Sequence, residues 1–273
     1  MMSNIFRFLQ WLEHIENTDR DALPEDVFYR LKQWDEAKAR RDADFVRTRL
    51  WTGNGSVNIF RVVGTDRPDA VGRNWRGLCN QAPRMADCLR LAEESPEFYT
   101  DPSVNHSDMQ FVSRDGVDWY LRGDGINRCC VARYYFLFCH SQGRPIQQLH
   151  NVTQELVLHD EVLLQRVRSM EALIPQLTSV FDIKLRPELV RKDCCSGPGW
   201  RQENFRTEIH LRISDSMGTY DYTLESTEEV DQHYHRMSRL LEDIKQVKYQ
   251  ESQLAERIYR KLSRSERKVW IYE

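Results

Sequence analysis

Gly123-Asp124-Gly125-Ile126-Asn127-Arg128 gathers two glycines, a carboxylate, an amide and a guanidinium into one short segment. Those residue types at that spacing suit the capture of an anion. The preceding stretch from Val117 to Leu121 is aromatic and branched and reads as a strand. Gly123 and Gly125 flank Asp124 in a turn where positive backbone angles cost glycine nothing. A helix is expected from about Ile126, because Val131, Ala132, Tyr135, Phe136 and Cys139 recur at three- and four-residue steps and turn one face inward. Arg128 then falls in the first turn, where unpaired backbone N–H groups and the positive end of the helix dipole point the same way as its guanidinium. A phosphate fits such a corner better than a neutral ligand does. Arg128 would hold its charge, Gly123 and Gly125 would let it approach, and Asn127 would add a hydrogen bond.

Gly125, Arg128 and Ala132 match the second sequence box of the ParB/sulfiredoxin superfamily, written Gly-Glu-Arg-Arg-x-Arg-Ala-Ala in ParB members and Gly-Gly-Cys-His-Arg in sulfiredoxins. Asp124-Gly125-Ile126-Asn127-Arg128 is similar to the Asp-Gly-Asn-His-Arg form found in phage and plasmid relatives. The chain resembles that superfamily over about residues 95–165, from the lead-in Glu94 to Tyr99 through Gly143-Arg144-Pro145 to the apolar run Val152 to Leu158. The resemblance implies a ParB/sulfiredoxin-like mixed unit from a mobile genetic element. It also implies a nucleic acid or a nucleotide as partner, with CTP or ATP accompanied by Mg²⁺ as the nucleotide form.

Whether bonds are broken stays open. In a metal-dependent nuclease or nucleotide hydrolase, Asp124 would be the catalytic, metal-holding carboxylate in place of the family glutamate; the other role for Asp124 is stabilising the turn. Ile126 occupies the position of the ParB glutamate and of the sulfiredoxin cysteine, and it cannot be a nucleophile. Cys129 lies on another part of the helix surface, which argues against redox chemistry. The rival class is a non-catalytic interaction or regulatory protein.

Composition sets the outer bounds. The 273 residues can form one large or two modest domains with an adequate core. With 30% charged and 40% hydrophobic residues the chain is globular rather than disordered. A net charge of -3 argues against uniform coating of nucleic acid yet permits a local basic groove. Seven cysteines, at positions without metal-ligand spacing, are expected as free thiols in the cytoplasm. Arg7, Glu13 and Glu16 interrupt the apolar residues near the start, and nowhere do enough apolar residues run together to span a membrane.

An α+β fold in three regions is expected. Residues 1–95 read as mostly helical: Ile5, Phe8, Leu9, Leu12 and Ile15 share one face, and Pro24-Glu25 opens a second helix running through Trp34 and Phe45 to Leu50, ended by Gly53-Asn54-Gly55. Its charged run from Lys32 to Arg49 is expected to be a solvated face. Ser56 to Val63 is expected as a strand and Met85 to Ala92 as a short helix. Residues 96–180 form the ParB-like unit, closing with the strand Val152 to Leu158 and a helix capped by Asp160. Residues 181–273 follow, with Asp193 to Gly199 as a loop, a hairpin joining Arg206–Ile213 to Tyr220–Leu224, and a capping box Ser226-Thr227-Glu228-Glu229. That box opens a long helix to about Leu262, whose rough three-four repeat suits a fold-back, a homodimer seam or a partner protein. His233 and His235, two apart, should lie on different sides of it, while His140, His150 and His159 are acid-base candidates without an assignable carboxylate.

Overall fold

The computed structural model describes residues 8, 10–12, 29–81, 84–215 and 218–269. They form a mixed α+β protein in two compact units. The first comprises Met1–His159 with Val190–Arg206, the second Asp160–Leu189 with Thr207–Glu273. The borders fall inside long strands, because β7 (Asp182–Gly197) and β8 (Trp200–Asp215) each contribute a part to each unit.

In the first unit the remaining strands are β1 (Lys32–Gln33), β2 (Val46–Asn58), β3 (Val62–Thr65), β4 (His106–Ser113), β5 (Trp119–Arg122) and β6 (Gln148–His159). Their spatial order is β1-β3-β5-β4-β6-β2-β8-β7. β3 runs parallel to β5, so the segments leaving both strands emerge at one edge of the sheet. β4 is antiparallel to β5, with Gln110 opposite Arg122, which brings the start of β4 to the same edge. Three strand ends therefore converge there. Among the described residues from Tyr29 onward, the α-helices of this unit are α1 (Glu36–Arg41), α2 (Trp75–Gln81), α3 (Met85–Glu94), α4 (Glu97–Thr100) and α5 (Ile126–Ser141).

The expected helix at Ile126 is α5, and it is buried more completely than one apolar face requires. Ile126, Cys129, Cys130, Tyr134 and Phe138 are buried along with the expected positions. Such a helix must be covered all round. α2 and α3 pack against it, and Phe8 and Trp11 meet Tyr135 and Phe138 at ring distances of 5.2 and 5.7 Å. Even Arg133 is interior: its guanidinium lies between the rings of Phe60 and Trp75 at 5.3 and 5.1 Å and donates to the Ile59 carbonyl at 2.8 Å. Delocalised charge and a flat face let arginine occupy such a site.

The N-terminal region is corrected from mostly helical to mixed. Where the apolar spacing suggested one helix to Leu50, the described residues hold β1, the short α1 and then β2. Asp35 caps α1 by accepting from the Lys38 N–H at 2.7 Å. Gly53-Asn54-Gly55 does not end an element but shifts the register inside β2. A side chain at Gly55 would start 2.0 Å from Gln154 Oε1, so glycine leaves room for the Gln154 side chain, whose Nε2 donates to the Ser56 carbonyl at 2.9 Å. Asp193 to Gly199 is likewise strand and tight turn rather than loop, with Gly199 at φ 76°. Ile5, Leu9, Ile15 and the Pro24-Glu25 start lie outside the described residues. Met85 to Ala92 is helical as expected, within α3.

In the second unit, Asp160 caps α6 (Glu161–Leu177) by accepting from the Leu163 N–H at 3.0 Å. β9 (Gly218–Leu224) pairs antiparallel with β8 from Ile209↔Leu224 to Asp215↔Gly218, giving the expected hairpin. The capping box at the head of α7 (Thr227–Val269) closes reciprocally: Ser226 Oγ accepts from the Glu229 N–H at 3.2 Å, and Glu229 Oε2 accepts from the Ser226 N–H at 3.3 Å. α6 and α7 pack together, burying Val167 and Met170 of the first and Val230 and Met237 of the second. His233 is buried and His235 exposed, on different sides of α7. No described helix is long and apolar enough to cross a membrane.

Candidate phosphate site

The segment between β5 and α5 folds as its glycines demand. Gly123 has φ 69° and Gly125 φ 115°, and Gly125 is the N-cap of α5, with no side-chain cap bond. The N–H of Gly123 donates to Asp66 Oδ1 at 2.9 Å, which ties this segment to the one leaving β3. A Cβ on Gly125 would lie 3.1 Å from Met109 Cγ, so the missing side chain lets the helix start against β4.

Asp124, Gly125, Asn127 and Arg128 line one cleft of about 610 Å³, and Gly123 lies outside its lining. Residues without a motif in the sequence complete it. Arg67 comes from the segment after β3, Arg73 from just before α2, Arg84 from the head of α3, and Asp108 from β4. Four arginines face three aspartates, Asp69, Asp108 and Asp124, leaving one formal positive charge in the cleft. Only the meeting of strand ends could have revealed these partners.

Arg128 is not idle. Its two terminal nitrogens grip Asp108 at 3.1 and 2.6 Å, and its side chain is only 20% exposed. The paired hydrogen bonds from Arg128 hold the Asp108 carboxyl below its ordinary range. Arg67 forks onto Asp69 at 3.0 and 2.8 Å and reaches Asp124 Oδ1 at 3.4 Å. The hydrogen bond to Asp69 raises the Arg67 pKa and lowers that of Asp69. Asp124 is 86% exposed, a position from which it screens Arg67 rather than organising the interior.

Arg73 and Arg84 differ from these. Both are exposed, and neither forms an ion pair among the described residues. Arg84 sits at φ 63°, a left-handed conformation that non-glycine residues adopt at a cost of order 1 kcal/mol or more. The Arg73 and Arg84 guanidinium groups thus line one polar cleft together with the first turn of α5, Ile126 to Arg128.

The cleft does not offer the donor set of a protein-held metal. Asp69, Asp108 and Asp124 each face an arginine, and among the described residues no three His, Cys, Asp or Glu gather to hold an ion. Cys129 is wholly buried, and burial pushes its thiol up to about 12. Cys130 is raised in the same direction, chiefly by burial. The histidines lie apart: His140 Nε2 meets the Ile146 carbonyl at 3.1 Å, and His150 Nδ1 meets Ser56 Oγ at 2.8 Å.

No family model, curated protein or solved structure matches this chain.

Proposed function

We propose that the cleft at the start of α5 binds a phosphate-bearing ligand, a nucleotide or a nucleic-acid backbone, as in ParB-like proteins. The observation that carries this is the convergence of Arg73 and Arg84, without ion pairs among the described residues, on the cleft at the start of α5 that Arg128 also lines. Arg128 would join them by exchanging its Asp108 partner for phosphate oxygens. A cleft of about 610 Å³ falls in the range of small-molecule and cofactor sites, which suits a whole nucleotide. Binding and positioning need only these residues.

Calorimetric titration with CTP, ATP and a short DNA duplex tests the proposal. Wild-type protein should bind at least one of them, and the double variant Arg73→Ala/Arg84→Ala should not. Equal affinity in both proteins, or none in the wild type, refutes it.

A non-catalytic interaction role has its own support. Leu240, Val247 and Leu254 of α7 recur at seven-residue steps and are 40%, 54% and 59% exposed, an apolar stripe that a second helix could cover. Concentration-dependent self-association without ligand binding would favour it.

A further inference from the structure

We infer that the first unit carries a second anion site, built on a different part of the sheet from the α5 cleft and sized for a single compact oxyanion. It is a cavity of about 220 Å³ beneath Trp34, lined by Arg40, Arg49, Arg114 and Arg122 but by only two carboxylates, Glu36 and Glu155. That volume lies below the usual range for whole cofactors and admits one phosphate group or a short carboxylic acid.

Strand register explains how the arginines meet. Val112 of β4 lies opposite Glu155 of β6, so Arg114, two residues on, returns to the same face. Arg49 of β2 lies opposite Val157 on the other side of β6. β4, which Arg114 directly follows, and β2, which bears Arg49, are thus two steps apart, about 9.6 Å, a span that two arginine side chains bridge with one small anion between them.

The carboxylates present leave donors over. Glu155 is shared by Arg49 at 3.7 Å and Arg122 at 3.5 Å, and Glu36 by Arg40 at 3.6 Å and Arg122 at 3.9 Å. Arg114 gives Nη1 to the fully buried Asp42 at 3.1 Å and lies 5.2 Å over the Trp34 ring, so its fork is held in place. Asp42 also takes Lys38 at 2.7 Å, and this outer pair adds no net charge. Arg114 Nη2 remains shielded from solvent with no hydrogen-bond acceptor among the described residues, and the equally shielded Arg49 Nε faces Glu155 at 3.7 Å, too far for a hydrogen bond. Buried charged donors without acceptors are destabilising, and both belong to one cavity with an excess of two positive charges. An oxyanion satisfies the donors and the charge together. Planar guanidinium forks suit phosphate and carboxylate alike.

The indole N–H of Trp34 reports on this cavity, since it donates to Glu36 Oε2 at 3.1 Å within the lining. Its NMR signal, assigned with Trp34→Phe, should shift saturably as inorganic phosphate or malonate is added, and the tighter of the two anions identifies the chemistry. Arg49→Gln, which changes a partly exposed side chain, should weaken that response at least about tenfold. Arg114→Lys, which keeps a charge beside Asp42, should weaken it similarly. Arg128→Ala, in the α5 cleft, should leave it unchanged, so failure here is distinct from failure of the cleft. No saturable shift with either anion overturns the inference. So does a response that survives Arg49→Gln, or one that Arg128→Ala removes.

Discussion

Replacing Asp108 and replacing Arg128 should move ligand affinity in opposite directions, although the two residues form one pair. Arg128 is 20% exposed and Asp108 64% exposed, so the pair itself is a partly solvated bridge worth about 1 kcal/mol at most. A phosphate oxygen receiving the same guanidinium forms charge-assisted hydrogen bonds worth about 1.5–3 kcal/mol. Arg128→Ala therefore should lower phosphate-ligand affinity by about tenfold to 150-fold, and it also leaves Asp108 as an uncompensated negative charge in the cleft. Asp108→Asn removes the competitor and one repulsive charge, and should tighten binding by about fivefold, corresponding to about 1 kcal/mol. Calorimetry with the best ligand among CTP, ATP and duplex DNA reads both effects, with thermal unfolding as a check that each variant is folded. Weaker binding in both variants would make the pair a structural strut rather than a donor with a resident competitor. Unchanged affinity in Arg128→Ala would remove Arg128 from the site.

Three other outcomes can be checked independently. Asp124→Asn should bind phosphate ligands as well as or better than wild type, because an 86% exposed carboxylate contributes repulsion and no buried contact; if the protein hydrolyses a nucleotide or DNA through Asp124, the same variant loses turnover while keeping affinity. Ellman's reagent should label exposed Cys194 and Cys195 in the folded protein and reach Cys129 and Cys130 only on unfolding, while Cys129→Ala/Cys130→Ala should keep ligand binding and lose stability through the emptied space, as read by thermal denaturation. Asp108 is held below its ordinary carboxyl pKa of 3.8, so its pair contributes stability above that value and loses it as pH falls through the lowered folded value; acid titration followed by NMR should show Asp108 protonating late in wild type and at an ordinary pH in Arg128→Ala.

Local signals in the sequence defined what neighbouring residues settle among themselves. Gly123 and Gly125 set a turn and a helix start because only glycine takes those backbone angles cheaply, and both have positive φ. Asp160 and the Ser226–Glu229 box mark helix starts because their acceptors and donors lie three residues apart. The hairpin from β8 to β9 was legible for the same reason, its pairing being set by a short connection. Tertiary structure decided what depends on distant partners. β2 is a strand because β6 and β8 supply its hydrogen bonds on both sides, overriding a helix-compatible spacing of apolar residues. The burial of Arg133 depends on Phe60 and Trp75, and the pairing of Arg128 depends on Asp108, 20 residues earlier in the chain. Arg67, Arg73 and Arg84 share a cleft with Arg128 only because parallel β3 and β5 end at one edge of the sheet, where antiparallel β4 begins. Residue periodicity and capping are properties of a few adjacent residues, whereas strand order and register are set by pairing across the whole unit, so the turn was visible in the sequence and the cleft around it was not.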